Sequence, residues 1–184
     1  MTRWASADRK PSVATHRPAR SSNRARGAHP ESQLWKAGER EDYDGPLLLD
    51  THIWVWMLEG NGARMAPAVV PLLERSAASA RLAVCDISFW EVGVKAAKGK
   101  LTLSLDAPIW LRRAERAPGV VYLSLDRTVL LQSTRLGTDL HGDPADRMLI
   151  AAAQLFGVPL VTADENIIAY AASRPGVPVC DARP

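Results

Sequence analysis

After Gly45-Pro46 the chain changes character: short apolar runs alternate with longer stretches whose apolar residues recur at helical spacing. That alternation marks a parallel sheet covered by helices. The expected strands are Leu47–Leu49, Leu82–Cys85, Val120–Leu123, Leu160–Thr162 and Val177–Cys180. Helical patterns are expected over His52–Glu59, Ala66–Ala80, Phe89–Lys98, Ala107–Arg116, Arg127–Arg135, Pro144–Phe156 and Glu165–Ala172. Asp143-Pro144 has the form of a helix start, and Gly157 of a helix stop. The fold class is therefore α/β, and residues 45–184 suffice for one domain with a sizeable core.

Residues 1–44 read differently. They are rich in Arg, Ser, Ala and Pro, with Trp4 and Trp35 scattered among them and no apolar periodicity. Such a segment buries too little to offset its ordering entropy, so a basic, disordered N-terminal arm is expected over 1–44. The first 30 residues hold seven Arg or Lys against the single acid Asp8, so the whole chain's net +3 leaves the remainder at −3. The basic character thus belongs to the arm and does not by itself make the body a nucleic-acid binder.

Cys85 and Cys180 each lie in an apolar run without CxxC or Cys/His spacing. Buried thiols are expected, with neither a disulfide framework nor a zinc site. No apolar run reaches the roughly 18 residues of a membrane span, and more Arg, Ser and Pro follow the basic start where a signal peptide needs an apolar stretch. No membrane association is expected, and the expected location is cytoplasmic.

In an open α/β sheet, ligands bind beyond the carboxyl ends of the strands. Four acids fall there or close by: Asp50 ends Leu-Leu-Leu-Asp, Asp164 ends Leu-Val-Thr-Ala-Asp, and Glu91 and Asp146 each lie about one turn into a helix. Each also has a local explanation. Ser88-Phe89-Trp90-Glu91 fits a capping box, Asp143-Pro144-Ala145-Asp146 reads the same way, and Asp164 suits the cap of the next helix. Asp50 resists that treatment, because an acid directly after three buried leucines must face solvent at the sheet edge or meet a cation.

Taken together the four acids converge, since one sheet brings these strand ends and helix starts into one cleft. Carboxylates about 4 Å apart repel by about 1 kcal/mol in water and several-fold more at lower effective dielectric. Such a group either binds metal or stays partly protonated. Hard oxygen donors without His or Cys favour Mg²⁺, with Mn²⁺ a substitute, over zinc. The chemistry this suits is phosphodiester hydrolysis, through one ion plus a water-positioning carboxylate or through two ions about 4 Å apart.

The segments Leu47-Leu48-Leu49-Asp50-Thr51-His52, Ser88-Phe89-Trp90-Glu91-Val92, His141-Gly142-Asp143-Pro144-Ala145-Asp146-Arg147 and Leu160-Val161-Thr162-Ala163-Asp164 occur in an order and spacing that resemble the PIN-domain toxins of bacterial VapBC toxin–antitoxin pairs. Lys95 to Leu103 is also typical of that subgroup, and the resemblance runs from about Leu47 to Cys180. It implies a three-layer α/β/α PIN-like domain with a central parallel sheet, a PIN nuclease domain over 45–184, Mg²⁺-dependent endoribonuclease activity on RNA, a cognate VapB-like antitoxin and a homodimer. Carried over by position, Asp50, Glu91, Asp146 and Asp164 are the catalytic, metal-holding acids and Thr162 supports them through its hydroxyl. Asp143 is kept as a helix cap. The long arm departs from the family, whose members begin close to the first strand.

Other residues carry weaker expectations. His52 and His141 flank acidic motifs, but His52 is expected at a helix start pointing away from the metal. Arg147 either meets a phosphate or pairs with Asp143 or Asp146. Trp54, Trp56 and Met57 overload a short helix with apolar surface, so one of its faces is expected to serve a partner. Two alternatives stand beside the nuclease: a non-catalytic PIN-like module that binds RNA or protein, and an aspartate-nucleophile phosphatase. The phosphatase is disfavoured because Asp50-Thr51-His52 has no second acid to protonate a leaving group.

Overall fold

The computed structural model describes residues 34–40, 42–140 and 142–184. Six strands and seven α-helices are found there: β1 Leu34–Lys36, β2 Leu47–Leu49, α1 Thr51–Leu58, α2 Val69–Ala78, β3 Leu82–Cys85, α3 Asp86–Ala97, α4 Ala107–Ala114, β4 Val120–Leu123, α5 Arg127–Thr134, α6 Pro144–Phe156, β5 Leu160–Thr162, α7 Glu165–Ser173 and β6 Val179–Asp181. All strand pairings are parallel, in the order β1-β6-β5-β2-β3-β4.

The four inner strands are buried along their whole length, because helices cover both faces, as parallel sheets require. Alternate side chains enter opposite layers. Leu48, Ala83, Leu160 and Val179 pack with Val129, Leu149, Ile150 and Ile167 of α5, α6 and α7. Leu47, Leu49, Leu82, Val84, Val161 and Cys180 pack with Ile53, Trp54, Leu72, Val92 and Trp110 of α1 to α4. The domain is therefore a three-layer α/β/α sandwich, as the resemblance implies, and both cysteines are buried free thiols.

Four of the five expected strands coincide with the observed ones. The fifth begins two residues late, at Val179, since Pro178 has no N–H for the ladder and contributes only its carbonyl, which accepts from Leu160 N–H at 2.9 Å. Gly157, at φ 63°, ends α6 as the cap expected of it. Helix α3 starts at Asp86, three residues before the expected Phe89, so Ser88 lies inside the helix and forms no capping box.

The arm expected over 1–44 does not hold at its C-terminal end. Residues 1–33 lie outside the described residues, but Leu34–Lys36 form β1 along the edge of β6. Trp35 is buried and stacks near Tyr43, with ring centroids 5.3 Å apart. One large apolar side chain on the covered face suffices for an edge strand, whose pairing comes from backbone groups.

Chain order and sheet order diverge at β2. From β2 the chain proceeds outward to β3 and β4, then returns to the other side of β2 through β5. The crevice between the carboxyl ends of β2 and β5 is thus the topological switch point, where α/β sheets bind ligands.

Candidate active site

Asp50 ends β2 at that crevice and is almost wholly buried. Thr162, at the end of β5, donates its hydroxyl to Asp50 Oδ2 at 2.6 Å and accepts the Asp164 N–H at 3.0 Å. One hydroxyl therefore positions two of the expected acids. Burial pushes the Asp50 carboxyl upward, but the His52 charge and hydrogen bond outweigh this and, with Thr162, hold it below the usual carboxylate range.

His52 faces the site, contrary to the expectation that it points away. Its Nδ1 lies 3.2 Å from Asp50 Oδ1, and its Nε2 accepts the Ala163 N–H at 3.0 Å. Burial lowers the imidazole pKa, yet the neighbouring Asp50 carboxylate raises it above its ordinary value. Ring direction depends on β5 backbone 111 residues away, which no local pattern encodes. His141 lies outside the described residues.

Glu91 reaches the cleft from α3 and is also buried. The Thr51 hydroxyl donates to Glu91 Oε2 at 2.6 Å, and Lys95 Nζ is ion-paired with Glu91 Oε1. Glu91 is therefore no capping residue. Lys95, which sequence reasoning noted only as part of a subgroup motif, is a member of the site; the signal available was its i,i+4 spacing from Glu91.

Helix α6 delivers the remaining acids from its first turn. Asp143 caps the helix, accepting the Ala145 N–H at 2.8 Å. Asp146, one turn on, has its pKa pushed up to about 8 by burial and then by the charges of Asp50, Asp143, Asp164 and Glu91. Asp164 does cap α7, accepting from Asn166 and Ile167 N–H through Oδ1, and it lines the cleft as well.

All four expected acids thus border one open cavity of about 270 Å³, together with His52, Lys95, Asp143 and Asn166. Among the described residues, no three His, Cys, Asp or Glu side chains close around one point as a finished metal cage. The donor set nevertheless fits a hard divalent cation. It consists of carboxylate oxygens held at a sheet switch point, and burial together with the neighbouring carboxylates pushes the Asp146 pKa up to about 8, a cost that a cation would reverse.

Two neighbours lie elsewhere. Arg147 pairs with neither Asp143 nor Asp146; its guanidinium donates to the carbonyls of Leu136, Ser133, Gly137 and Leu140 at 2.6 to 3.4 Å, tying down the segment after α5. Trp54 and Met57 are core, and Trp54 packs on Phe89 and Trp110, so α1 offers no exposed strip along them. Among the described residues the exposed Trp and Phe side chains are Trp90, at 55%, and Phe156, at 46%.

Comparison with known proteins agrees with this architecture. The chain is 29% identical over 129 residues to ribonuclease VapC22 of Mycobacterium tuberculosis, a match covering 70% of this chain and 95% of that protein. Its fold is similar to the DNA-bound VapBC structure from Salmonella typhimurium (TM-score 0.53, 18% identity, 74% of this chain and 98% of that one). It is also similar to VapBC2 from Rickettsia felis bound to a promoter DNA fragment (TM-score 0.54, 15% identity, 74% and 98%). The family model described as PIN domain matches residues 47–173, which span β2 to α7 and every acid of the cleft. The chain belongs to the PIN domain family.

Proposed function

We propose that this chain is a metal-dependent endoribonuclease, the toxin of a type II toxin–antitoxin pair, in which Asp50, Glu91, Asp146 and Asp164 hold Mg²⁺, or Mn²⁺ in its place. The observation that carries the proposal is Asp146: burial, and then the charges of four neighbouring carboxylates, push its pKa up to about 8. Helix capping requires no such convergence, and a fold without a cation to bind gains nothing from it. The similar M. tuberculosis protein is a ribonuclease, which agrees with an RNA substrate.

When bound, a divalent cation supplies Lewis-acid activation of a water and neutralises charge on the phosphodiester. The protein's own groups prepare the place. Thr162 fixes Asp50 and the backbone of Asp164, while Thr51 and Lys95 fix Glu91. His52, engaged at both ring nitrogens, orients Asp50 and is not available as a proton acceptor for substrate. To hold a cation, Asp146 would have to give up the proton that it keeps without one.

An apolar groove of about 460 Å³ between α3 and α4, lined by Ala96, Ala97, Leu101, Leu103 and Leu111, is the surface we assign to a VapB-like antitoxin. The VapBC assemblies of similar fold support such a partner. Exposed Trp90 and Leu131 suit a homodimer contact. No helix among the described residues is long and apolar enough to cross a membrane, in keeping with a cytoplasmic protein. The basic residues of 1–33 add salt-sensitive, sequence-independent affinity for RNA.

Incubation of the purified protein with RNA, with Mg²⁺ and with excess EDTA, tests the activity. Cleavage confined to the Mg²⁺ reaction is expected. Cleavage undiminished in EDTA refutes the metal dependence, and RNA binding without cleavage in Mg²⁺ or Mn²⁺ favours the non-catalytic module.

A further inference from the structure

Among the described residues lining the acidic cleft, Lys95 is the only lysine or arginine. An i,i+4 Glu–Lys pair on an exposed helix face is ordinarily a solvated pair of small effect. Three features set this one apart. Glu91 is buried, with only 6% of its surface exposed. Its second oxygen is already engaged by the buried Thr51 hydroxyl, at 2.6 Å, so the carboxylate is fixed before Lys95 arrives. Finally, the Lys95 ammonium interacts with Asp50 and Asp146 as well as with Glu91.

We propose that Lys95 sets the charge selectivity of the cation site: its ammonium is the resident cation that any metal ion must displace from Glu91. This rests on the reading of the cleft as a divalent-cation site. The ammonium is tethered to the same helix as Glu91, so it competes at a high effective concentration. A monovalent ion that replaces it exchanges one positive charge for another and gains nothing. A divalent ion doubles the attraction to the same carboxylates, and only for it is displacement favourable. Once displaced, the ammonium retreats along its own half-exposed stem. Lys95 is therefore a positioning and selectivity residue and takes no part in bond-making.

The test is calorimetric titration of the full chain with MnCl₂, comparing wild type, Lys95→Met, which keeps the stem and removes the charge, and Lys95→Arg, which keeps the charge. Removing a unit charge about 6 Å from a doubly charged ion in water-like surroundings changes an association constant about tenfold. Lys95→Met is expected to bind Mn²⁺ about tenfold more tightly, and Lys95→Arg to stay within about twofold of wild type. Without metal, Lys95→Met should melt at a higher temperature in NaCl than in choline chloride of equal ionic strength, whereas wild type should not distinguish them. If Lys95→Met does not stay folded without metal, Lys95→Gln refolded in MnCl₂ and back-titrated with a chelator gives the same comparison. Wild-type binding with unchanged or weaker affinity in Lys95→Met overturns the role of Lys95 and leaves the metal site standing. No Mn²⁺ binding by any of the proteins overturns the metal site, and the role of Lys95 with it.

Discussion

Two ends of the same sheet carry a buried aspartate just where a parallel strand stops, and they resolve its charge in opposite ways. At the end of β6, Asp181 receives Arg183, whose Nη2 and Nε lie 2.7 and 3.2 Å from Oδ2. Burial pushes that carboxyl up, but the hydrogen bonds and charge of Arg183 bring it below its ordinary value. At the end of β2, Asp50 shares a cleft with Glu91, Asp143, Asp146 and Asp164, against Lys95 and His52. A buried strand-end acid is therefore not functional in itself. What marks the β2–β5 crevice is that, among the described residues lining it, five carboxylates meet one lysine and one histidine, at the point where the chain reverses its order across the sheet.

The comparison breaks most visibly under substitution by amides. Asp50→Asn, Glu91→Gln, Asp146→Asn and Asp164→Asn should each reduce RNA cleavage by more than about 100-fold, beyond the cost of losing an outer-shell partner, with circular dichroism showing the fold retained. Asp181→Asn should leave cleavage close to wild type. Equal losses at both strand ends would mean that the crevice is not special.

Trp35 gives the next largest effect. Trp35→Ala removes a buried ring from the far edge of the sheet and should cost about 3 kcal/mol by urea unfolding. Trp35→Phe should cost far less, because the indole N–H it removes has no hydrogen-bond partner among the described residues. Deletion of residues 1–33 should leave the melting temperature in place, whereas deletion of 1–44 should lower it. Identical melts would remove β1 from the stable fold.

Acidity separates the two ends further. In metal-free protein the Asp146 pKa is pushed up to about 8 in the folded state and lies near the ordinary carboxylate value of 3.8 when unfolded. The native state therefore holds the extra proton across that window, and stability falls as pH rises from about 5 to about 8. A drop of several degrees in melting temperature is expected over that range, abolished by Mg²⁺ or by Asp146→Asn. A flat profile would show that the crevice carboxylates are not crowded.

The smallest effect belongs to Arg183. Arg183→Ala removes the guanidinium but keeps the backbone N–H that donates to Asp181 Oδ1, so about 1 kcal/mol is expected, with Mn²⁺ binding unaltered. Weakened Mn²⁺ binding in that variant would join the two ends into one electrostatic unit.

Much of this was legible in the chain itself. The runs Leu47–Leu49, Leu82–Cys85 and Leu160–Thr162 read correctly because a strand buried on both faces must be continuously apolar. Leu34–Lys36 did not, because an edge strand needs only one apolar anchor and its pairing is a property of the backbone. That Asp50 and Asp164 follow strands, and that Glu91 and Asp146 lie near helix starts, was readable in the chain. Orientation was not: His52 turns toward Asp50 because an Ala163 N–H meets its other nitrogen, and Arg147 turns away because the Ser133 carbonyl of α5 and three carbonyls after that helix gather round it. Carbonyls and amides look alike in every sequence. Exposure failed similarly for α1, where Trp54 is enclosed by aromatics from α3 and α4.

The central claim, that the crowded crevice is built to receive a divalent cation, is tested most directly by titrating wild type and Asp146→Asn with MnCl₂ at about pH 7 in buffers of different ionisation enthalpy. The account predicts that wild type binds Mn²⁺ and releases protons as it does so, because the Asp146 carboxyl held near 8 must ionise to accept the ion. Asp146→Asn should bind far more weakly and release no such proton. Binding of equal strength in both proteins with no proton release, or no binding by wild type, would contradict it.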